Sequence, residues 1–453
     1  MTTSIADNGS RQGRLRAGAY LLLHRAAGGS LGSHYREFLR QDRERSFPEP
    51  GRLLASTLEH AVTTVPHYRG VVTAEEVRSD PFAALARFPL LTRETVRARW
   101  SEMLSERGDR GDWIENTSGG STGEPVPLLQ DPEHLALTVA VREVYSTWAG
   151  GSLGEPELYI WGSEKDLESG IGSPRNRVGN RLLRRSLLNA FLLTDETIEA
   201  ILERLRQGPP RLVIAYAQAG YEVARFAGRH GIEVPPQRGM IATAGTLYDF
   251  MREQLEETFG CAVLNRYGSR ETGDMAGECE HRTGLHVLPW TCHVEVVGPD
   301  GEPVGPGEEG EIAVTGHTNR AMPLVRYLIG DRARLPEQEI DCPCGRKTQM
   351  LAEVTGRNVD MFLGPDGRMV DGEYFTHLMY FRPWLRQFQV VQRAPDEVLF
   401  RVACEGEVPA ADRDEIVAKT KTVMGDGCTV AFEEVAAIAP SSSGKLRYTI
   451  REF

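Results

Sequence analysis

The chain has 453 residues, too many for one ordinary core, so two or more domains are expected. Hydrophobic residues make up 40% and charged residues 26%, the mixture of a folded globular chain rather than a disordered one. The formal net charge of −12 argues against nucleic acid and membranes as partners, because each would need a broad basic face to meet.

Residues 1–13 are polar and expected to fray. The apolar run Ala17–Leu23 follows Arg14 and Arg16 and precedes His24 and Arg25. It falls short of the roughly 20 residues that span a bilayer, so it reads as an N-terminal amphipathic helix. Residues 14–110 predict mostly helix, with apolar positions three and four apart over Leu53–Ala61 and Phe82–Phe88. Pro89-Leu90-Leu91 ends one helix, and Thr92 is placed to cap the next. Helical spacing returns over His134–Trp148, Gln218–His230 and Leu247–Phe259. Leu158–Trp161 and Leu212–Tyr216 are short apolar runs of the kind that make buried strands, and the alternation predicts an α/β core.

From Leu285 the pattern turns to β. Leu285–Pro289, His293–Val297, Gly310–Thr315 and Leu324–Ile329 are short apolar runs separated by turns such as Gly298-Pro299-Asp300-Gly301. Phe388–Val391, Glu397–Val402, helix Asp412–Met424 and Thr429–Glu433 predict a last, small α+β unit. Its natural boundary is the stretch 356–367. The expected fold is α/β: a large multi-sheet N-terminal domain over 1–355 with a helical start, and a small mobile α+β domain over 356–453.

Seven cysteines in a chain of this length do not make a disulfide framework. The odd count and the pair Cys342-Pro343-Cys344 point to reduced thiols and a cytoplasmic protein. With Cys279 upstream, followed by His281 and His286, three sulfurs and one imidazole could complete a tetrahedral zinc site. The spacing alone leaves buried free thiols as the alternative, and does not choose between the two histidines. Cys261, Cys292, Cys404 and Cys428 read as core residues.

Thr117-Ser118-Gly119-Gly120-Ser121-Thr122-Gly123-Glu124-Pro125 is a candidate phosphate cradle. Its glycines let backbone N–H groups approach an anion, and Ser118, Ser121 and Thr122 add hydroxyl donors. No lysine follows the glycines, so it is not a P-loop of the Walker type. By itself the loop reads equally well as a flexible surface turn. Downstream lie Asn265-Arg266-Tyr267-Gly268-Ser269-Arg270-Glu271, then Gly330-Asp331, Gly356-Arg357-Asn358-Val359-Asp360 and Ser443-Gly444-Lys445. This ordered set resembles the adenylate-forming superfamily, with the closest match to its phenylacetate–coenzyme A ligase and capsular-polysaccharide-biosynthesis type branch. The ending Ser443-Gly444-Lys445-Leu446-Arg447-Tyr448 carries that likeness, as do Trp161-Gly162-Ser163-Glu164-Lys165-Asp166 and Leu188-Asn189-Ala190-Phe191. It spans roughly residues 85–453.

The resemblance implies an AMP-forming acid–thiol ligase. ATP and a carboxylic acid, aromatic by family likeness, would give an acyl-adenylate and pyrophosphate; a thiol of coenzyme A or a carrier protein would then displace AMP. It implies that Ser118, Gly119, Gly120, Ser121, Thr122 and Gly123 hold the phosphates. Tyr267 would stack on adenine, with Ala244, Gly245, Gly268, Ser269 and Arg270 around the nucleotide. Glu271 would hold Mg²⁺, Asp331 the ribose hydroxyls and Arg357 ribose or phosphate. Lys445 would be the adenylation lysine, and Tyr216, Ala217 and Gln218 would line the acid pocket. It also implies a structural zinc on Cys279, Cys342, Cys344 and one of His281 and His286. An amine acceptor, or an oxyanion such as nitrite in place of the acid, remains an alternative, and many arginines and alanines fit secondary metabolism in a GC-rich bacterium. The oligomeric state stays open, a homodimer included. Three departures stand out: Glu124 where relatives often carry lysine, with Arg142 or Arg270 as compensating cations; Val359 before Asp360; and no Glu in Thr243-Ala244-Gly245-Thr246.

Overall fold

The computed structural model describes residues 9–118, 126–161, 174–189, 195–245, 247–355, 362–370, 372–379, 382, 384–404, 406–438 and 448–453. Three helices open the chain, Arg11–Ala26, Leu31–Glu44 and Pro50–Thr64. The first begins inside the stretch expected to fray, because the Ser10 side chain caps it by accepting the Gly13 N–H at 3.0 Å. Thr92 caps Arg93–Ala98 as expected, accepting the Thr95 N–H at 3.2 Å.

Twenty strands follow among the described residues. β1 (Ile114–Thr117) and β2 (Pro127–Gln130) form a hairpin. β3 (Glu157–Trp161), β4 (Arg185–Asn189), β5 (Leu212–Tyr216), β6 (Gly239–Thr243), β7 (Val263–Ser269), β8 (Gly273–Glu278), β9 (Leu285–Val287) and β13 (Met350–Leu351) build an eight-stranded sheet, in the order β13-β9-β8-β7-β6-β5-β3-β4. Pairing is parallel from β4 to β7 and antiparallel from β7 to β13.

Every residue of β5 and β6 is buried, which is why Leu212–Tyr216 reads as a continuous apolar run rather than an alternating one. Successive side chains go to opposite layers. Val213 and Ala215 join a core with helices Asp195–Arg206, Ala217–His230 and Asp249–Phe259, while Leu212 and Ile214 join one with helices Arg11–Ala26, Leu31–Glu44 and Pro132–Trp148. The parallel sheet is thus covered on both faces.

A second sheet, β10 (Cys292–Val297), β11 (Glu309–Gly316), β12 (Tyr327–Arg334) and β14 (Glu353–Val354), is antiparallel and packs with helix Pro50–Thr64. Here the expected strand Leu324–Ile329 is displaced. Arg326 has φ +48°, outside the β region that a non-glycine strand residue occupies, so the strand starts at Tyr327 and runs past Gly330 and Asp331 instead of ending before them. The Arg326 guanidinium is occupied elsewhere, donating to the carbonyls of Phe88 and Gly301, each at 2.9 Å, and to Glu295 at 3.1 Å.

The C-terminal part has its own core, drawn from Phe362 to Tyr448. The hairpin β15 (Phe362–Leu363)–β16 (Met369–Val370) precedes helix Gly372–Met379. β17 (Leu385–Ala394) and β18 (Glu397–Cys404) pair antiparallel, with β19 (Thr429–Glu434) and β20 (Thr449–Arg451) parallel on the two edges and helix Ala410–Met424 alongside. Arg225, on helix Ala217–His230, donates to the Gly367 carbonyl at 3.2 Å and joins this unit to the large domain. Among the described residues no helix is long and apolar enough to cross a membrane.

Candidate functional site

The carboxyl ends of parallel strands in an open α/β sheet make a natural ligand crevice, because the chain leaves each strand there for a loop. Register brings three predicted residues to that level. Tyr216, the last residue of β5, pairs with Thr243, the last of β6, and Ala242 pairs with Asn265 of β7. Ala244 follows immediately, and Tyr267 lies two residues beyond Asn265. Ala244 has φ +63°, a left-handed conformation that turns the chain sharply off the strand, and its side chain is exposed. Tyr216 and Ala217 are buried, and the Tyr216 ring lies 4.9 Å from that of Trp161 at the end of β3. Gln218 is in the helix that starts at Ala217, but its side chain is outside the described residues. Gly245 is half-buried.

The Tyr267 phenol donates to Asp331 Oδ2 at 2.8 Å. This bond crosses between sheets, since Tyr267 is on β7 and Asp331 on β12. Two irregularities permit the approach. The β7–β8 register slips between Tyr267 and Gly268, and Gly330 has φ +89° just before Asp331. Gly268 has to be glycine, because a Cβ there would stand 2.8 Å from the Gly273 carbonyl. The turn after β7 is closed by Ser269, whose hydroxyl accepts the Thr272 N–H at 3.3 Å, and Glu271 beside it is buried.

The mouth of the glycine-rich loop is pinned to this turn. Ser118 is buried and exchanges two bonds with Val126, its N–H to the carbonyl and the Val126 N–H to its Oγ, each at 2.8 Å. In the β1–β2 hairpin, Asn116 donates to Gln130 at 3.0 Å, and Gln130 donates to the Arg270 carbonyl at 2.8 Å. Gly119, Gly120, Ser121, Thr122, Gly123 and Glu124 lie outside the described residues, as do Arg357 and Lys445. Tyr448, three residues past Lys445, is anchored: its carbonyl accepts the Val390 N–H at 2.7 Å and its ring packs 5.0 Å from Phe388.

The cysteine motif condenses into one cluster. One ligand atom each from Cys279, His286, Cys342 and Cys344, all buried, lie within 4.8 Å of one another. Cys279 Sγ is 3.5 Å from Cys342 Sγ, and Cys344 Sγ is 3.4 Å from His286 Nε2. Zinc–sulfur bonds near 2.3 Å imply tetrahedral edges of about 3.8 Å, so the four atoms are spaced to receive the ion. His286 Nδ1 meets the Thr348 hydroxyl at 3.2 Å, directing Nε2 at the sulfurs, and burial holds the imidazole at a pKa of about 4, neutral and able to ligate. His281 is outside the cluster with an exposed side chain; only its backbone N–H reaches Cys279 Sγ, at 3.4 Å. Cys292 and Cys428 are buried as expected of core thiols, while Cys261 and Cys404 are half-buried.

Residues 362–452 match the family model described as the CapK C-terminal domain. The chain is 22% identical over 379 residues to the protein CapK of Staphylococcus aureus, covering 81% of this chain and 80% of that one. It is 38% identical over 261 residues to the phenylacetate–coenzyme A ligase of Thermus thermophilus, 51% of this chain and 58% of that enzyme. In structure it is similar to 2-hydroxyisobutyryl-CoA ligase in complex with 2-HIB-AMP and CoA, with a TM-score of 0.57, 19% identity and 89% of each chain covered. The chain is thus similar in sequence to CapK and to phenylacetate–coenzyme A ligases, its C-terminal part matches the CapK model, and it shares the fold of a solved acyl-CoA ligase.

One polar centre escaped the sequence reading. Arg185, the first residue of β4, donates to Glu157 and to Glu143, both at 2.6 Å, and all three side chains are buried. Arg142, considered as a cation for the phosphate loop, stands at this network, 3.8 Å from Glu143. Glu157 and Arg185 face each other in register at the amino ends of β3 and β4, far along the sheet from Tyr216. Two glutamates and an arginine spread over residues 143–185 carry no motif, and only the strand pairing brings them together.

Proposed function

We propose that this chain activates a carboxylic acid with ATP, releasing pyrophosphate, and passes the acyl group to a thiol such as coenzyme A or a carrier-protein arm. The observation that carries this reading is the Tyr267–Asp331 bond beside the crevice at the ends of β5, β6 and β7. An aromatic face next to a carboxylate suits a nucleoside, with the base on Tyr267 and ribose hydroxyls donating to Asp331. The glycine-rich loop follows Ser118, whose mouth is tied to the Arg270 carbonyl through Gln130, so its N–H groups would meet the phosphates of that nucleotide. Glu271 is the carboxylate for Mg²⁺. Tyr216, Ala217, Gln218, Ala244 and Gly245 border the space for the acid, and an aromatic acid suits the Tyr216–Trp161 pair.

Lys445 and Arg357 belong to the part taken as the mobile 356–453 domain. A lysine is suited to the point where the attacking carboxylate and the α-phosphate crowd negative charge together. The crevice would position the carboxylate for attack on the α-phosphorus as the pyrophosphate bond breaks. Zinc is assigned to Cys279, His286, Cys342 and Cys344, where all four positions come from the protein and the ion would be structural.

ATP–pyrophosphate exchange across a panel of aromatic and aliphatic acids tests the activation step, and mass spectrometry of products with coenzyme A identifies the thioester. Exchange should appear with at least one acid and vanish in Lys445→Ala while the far-UV spectrum stays unchanged. Absence of exchange with every acid overturns the reading.

A further inference from the structure

The first helix is apolar on two faces. Gly13, Ala17 and Leu21 are buried against the body, where Gly13 and Ala17 touch Gly154 just ahead of β3. Leu15, Ala19, Leu22 and Ala26 recur at helical spacing on the other side, where Leu15 is 67% and Leu22 66% exposed, with Leu23 beside them at 55%. Helix Pro174–Leu183 lies alongside, its Gly179 against the Tyr20 ring, and adds Val178, 58% exposed. Neither helix contains an acidic residue. The first carries Arg11, Arg14, Arg16 and Arg25, and the second Arg175, Arg177 and Arg181, with Arg184 following. Arg14 is held by the Gly9 carbonyl at 2.6 Å, a bond that leaves its charge uncompensated.

We propose that this face docks the protein on an anionic lipid surface, arginines meeting headgroup phosphates and the leucine ridge entering the boundary beneath them. Leucine on one side and arginine around it is the composition of an in-plane interfacial helix. A chain of net charge −12 gathers these arginines on two adjacent helices, so an anionic surface repels the rest of the molecule and selects this face. The net charge alone had argued against a membrane partner; a local basic face removes that objection. Charge also decides against the other occupants. A two-fold contact with a second copy would set arginines against arginines. Side chains more than half exposed form a ridge, not a groove, and leucine and valine without exposed tryptophan or tyrosine are poor anchors for a protein partner. The face adjoins the amino ends of β3 and β4, opposite the ends that carry Tyr216 and Trp161, so docking leaves the candidate crevice open.

Flotation of the full chain with vesicles tests this. One set is phosphatidylcholine alone, and the other contains about 30 mol% phosphatidylserine. At about 0.1 M salt the bound fraction should rise at least tenfold on the anionic vesicles, and it should fall at about 0.5 M. Leu15→Asp/Leu22→Asp and Arg11→Glu/Arg14→Glu should each abolish binding while melting temperature and circular dichroism stay unchanged, since these positions are exposed. Equal binding to both vesicle types, no binding, or wild-type binding by both variants overturns the proposal. So does light scattering that shows a dimer dissociated by Leu15→Asp/Leu22→Asp, which would give the face to a second copy.

Discussion

The Tyr267 phenol and the Asp331 carboxylate, 2.8 Å apart, couple a strand of the eight-stranded sheet to one of the four-stranded sheet at the point assigned to the nucleoside. The bond holds the phenol against the carboxylate and, on the proposed reading, would set the spacing between base and ribose. Removing it costs one hydrogen bond to a charged group, about 1.5–3 kcal/mol at most. Tyr267→Phe keeps the ring and should raise KM for ATP roughly tenfold in pyrophosphate exchange, with kcat little changed. Asp331→Ala removes the acceptor itself and should cost more than the tyrosine variant. An unchanged KM for ATP in Asp331→Ala would take this carboxylate out of the nucleotide site.

The Cys/His cluster predicts metal content. Purified protein should hold one zinc per chain by elemental analysis. Cys344→Ser and His286→Ala should lose it and melt at lower temperature, because three buried ligands without an ion leave polar groups unpaired. His281→Ala should keep full zinc, its side chain being exposed. Full zinc in His286→Ala would overturn the assignment.

Much of this was legible in the sequence, for identifiable reasons. Leu212–Tyr216 is a strand buried on both faces, and such strands announce themselves as unbroken apolar runs. Thr92 and the Gly298–Gly301 turn declare themselves by residue type. The strand around Asp331 did not, because its start is set by the φ of Arg326, whose guanidinium is drawn to Phe88 and Gly301, remote in sequence. The choice of His286 over His281 was equally hidden: it follows from β9 pairing with β13, which sets His286 opposite Met350 and so close behind the Cys342–Cys344 turn. The N-terminal helix was read as amphipathic from the short apolar run Ala17–Leu23 between Arg14, Arg16, His24 and Arg25; that it is apolar on two faces was hidden, because packing alone decides that Gly13, Ala17 and Leu21 make the buried stripe.

Buried histidines predict the acid limit of stability. Burial pushes His134 and His293 down to about 4 and His317 to about 3, from an ordinary value of 6.5. A depressed folded pKa means that the stabilisation is complete above the unfolded value and is lost as pH falls through the folded one. Melting temperature should therefore hold above about pH 6.5 and drop steadily from there toward pH 4. His134 accepts or donates at Nδ1 to the Thr318 hydroxyl at 2.7 Å, so His134→Gln preserves a polar partner and should flatten part of that slope. A melting temperature constant between pH 7 and pH 4.5 would contradict the assignment of these rings as neutral.

Arg185 predicts a larger and opposite pH effect. It is the shared partner of Glu143 and Glu157, and Glu143 Oε2 has no hydrogen-bond partner. Arg185→Met would leave two carboxylates buried together without their cation, a change that costs about 3–5 kcal/mol when one side of a buried pair is removed. Burial already raises the Glu157 carboxyl above its usual 4.5, and loss of Arg185 would raise it further. A raised folded pKa gives stability that is full below the unfolded value and lost as pH rises through the folded one. The deficit of Arg185→Met relative to wild type should thus be greatest near pH 8 and shrink toward pH 5, even as both proteins lose stability from their histidines. Adding Glu143→Gln and Glu157→Gln to Arg185→Met should recover part of the loss at pH 8, because neutral amides need no cation. Thermal melts of the three proteins at both pH values decide it: a deficit that does not change with pH would show that Arg185 acts through packing alone.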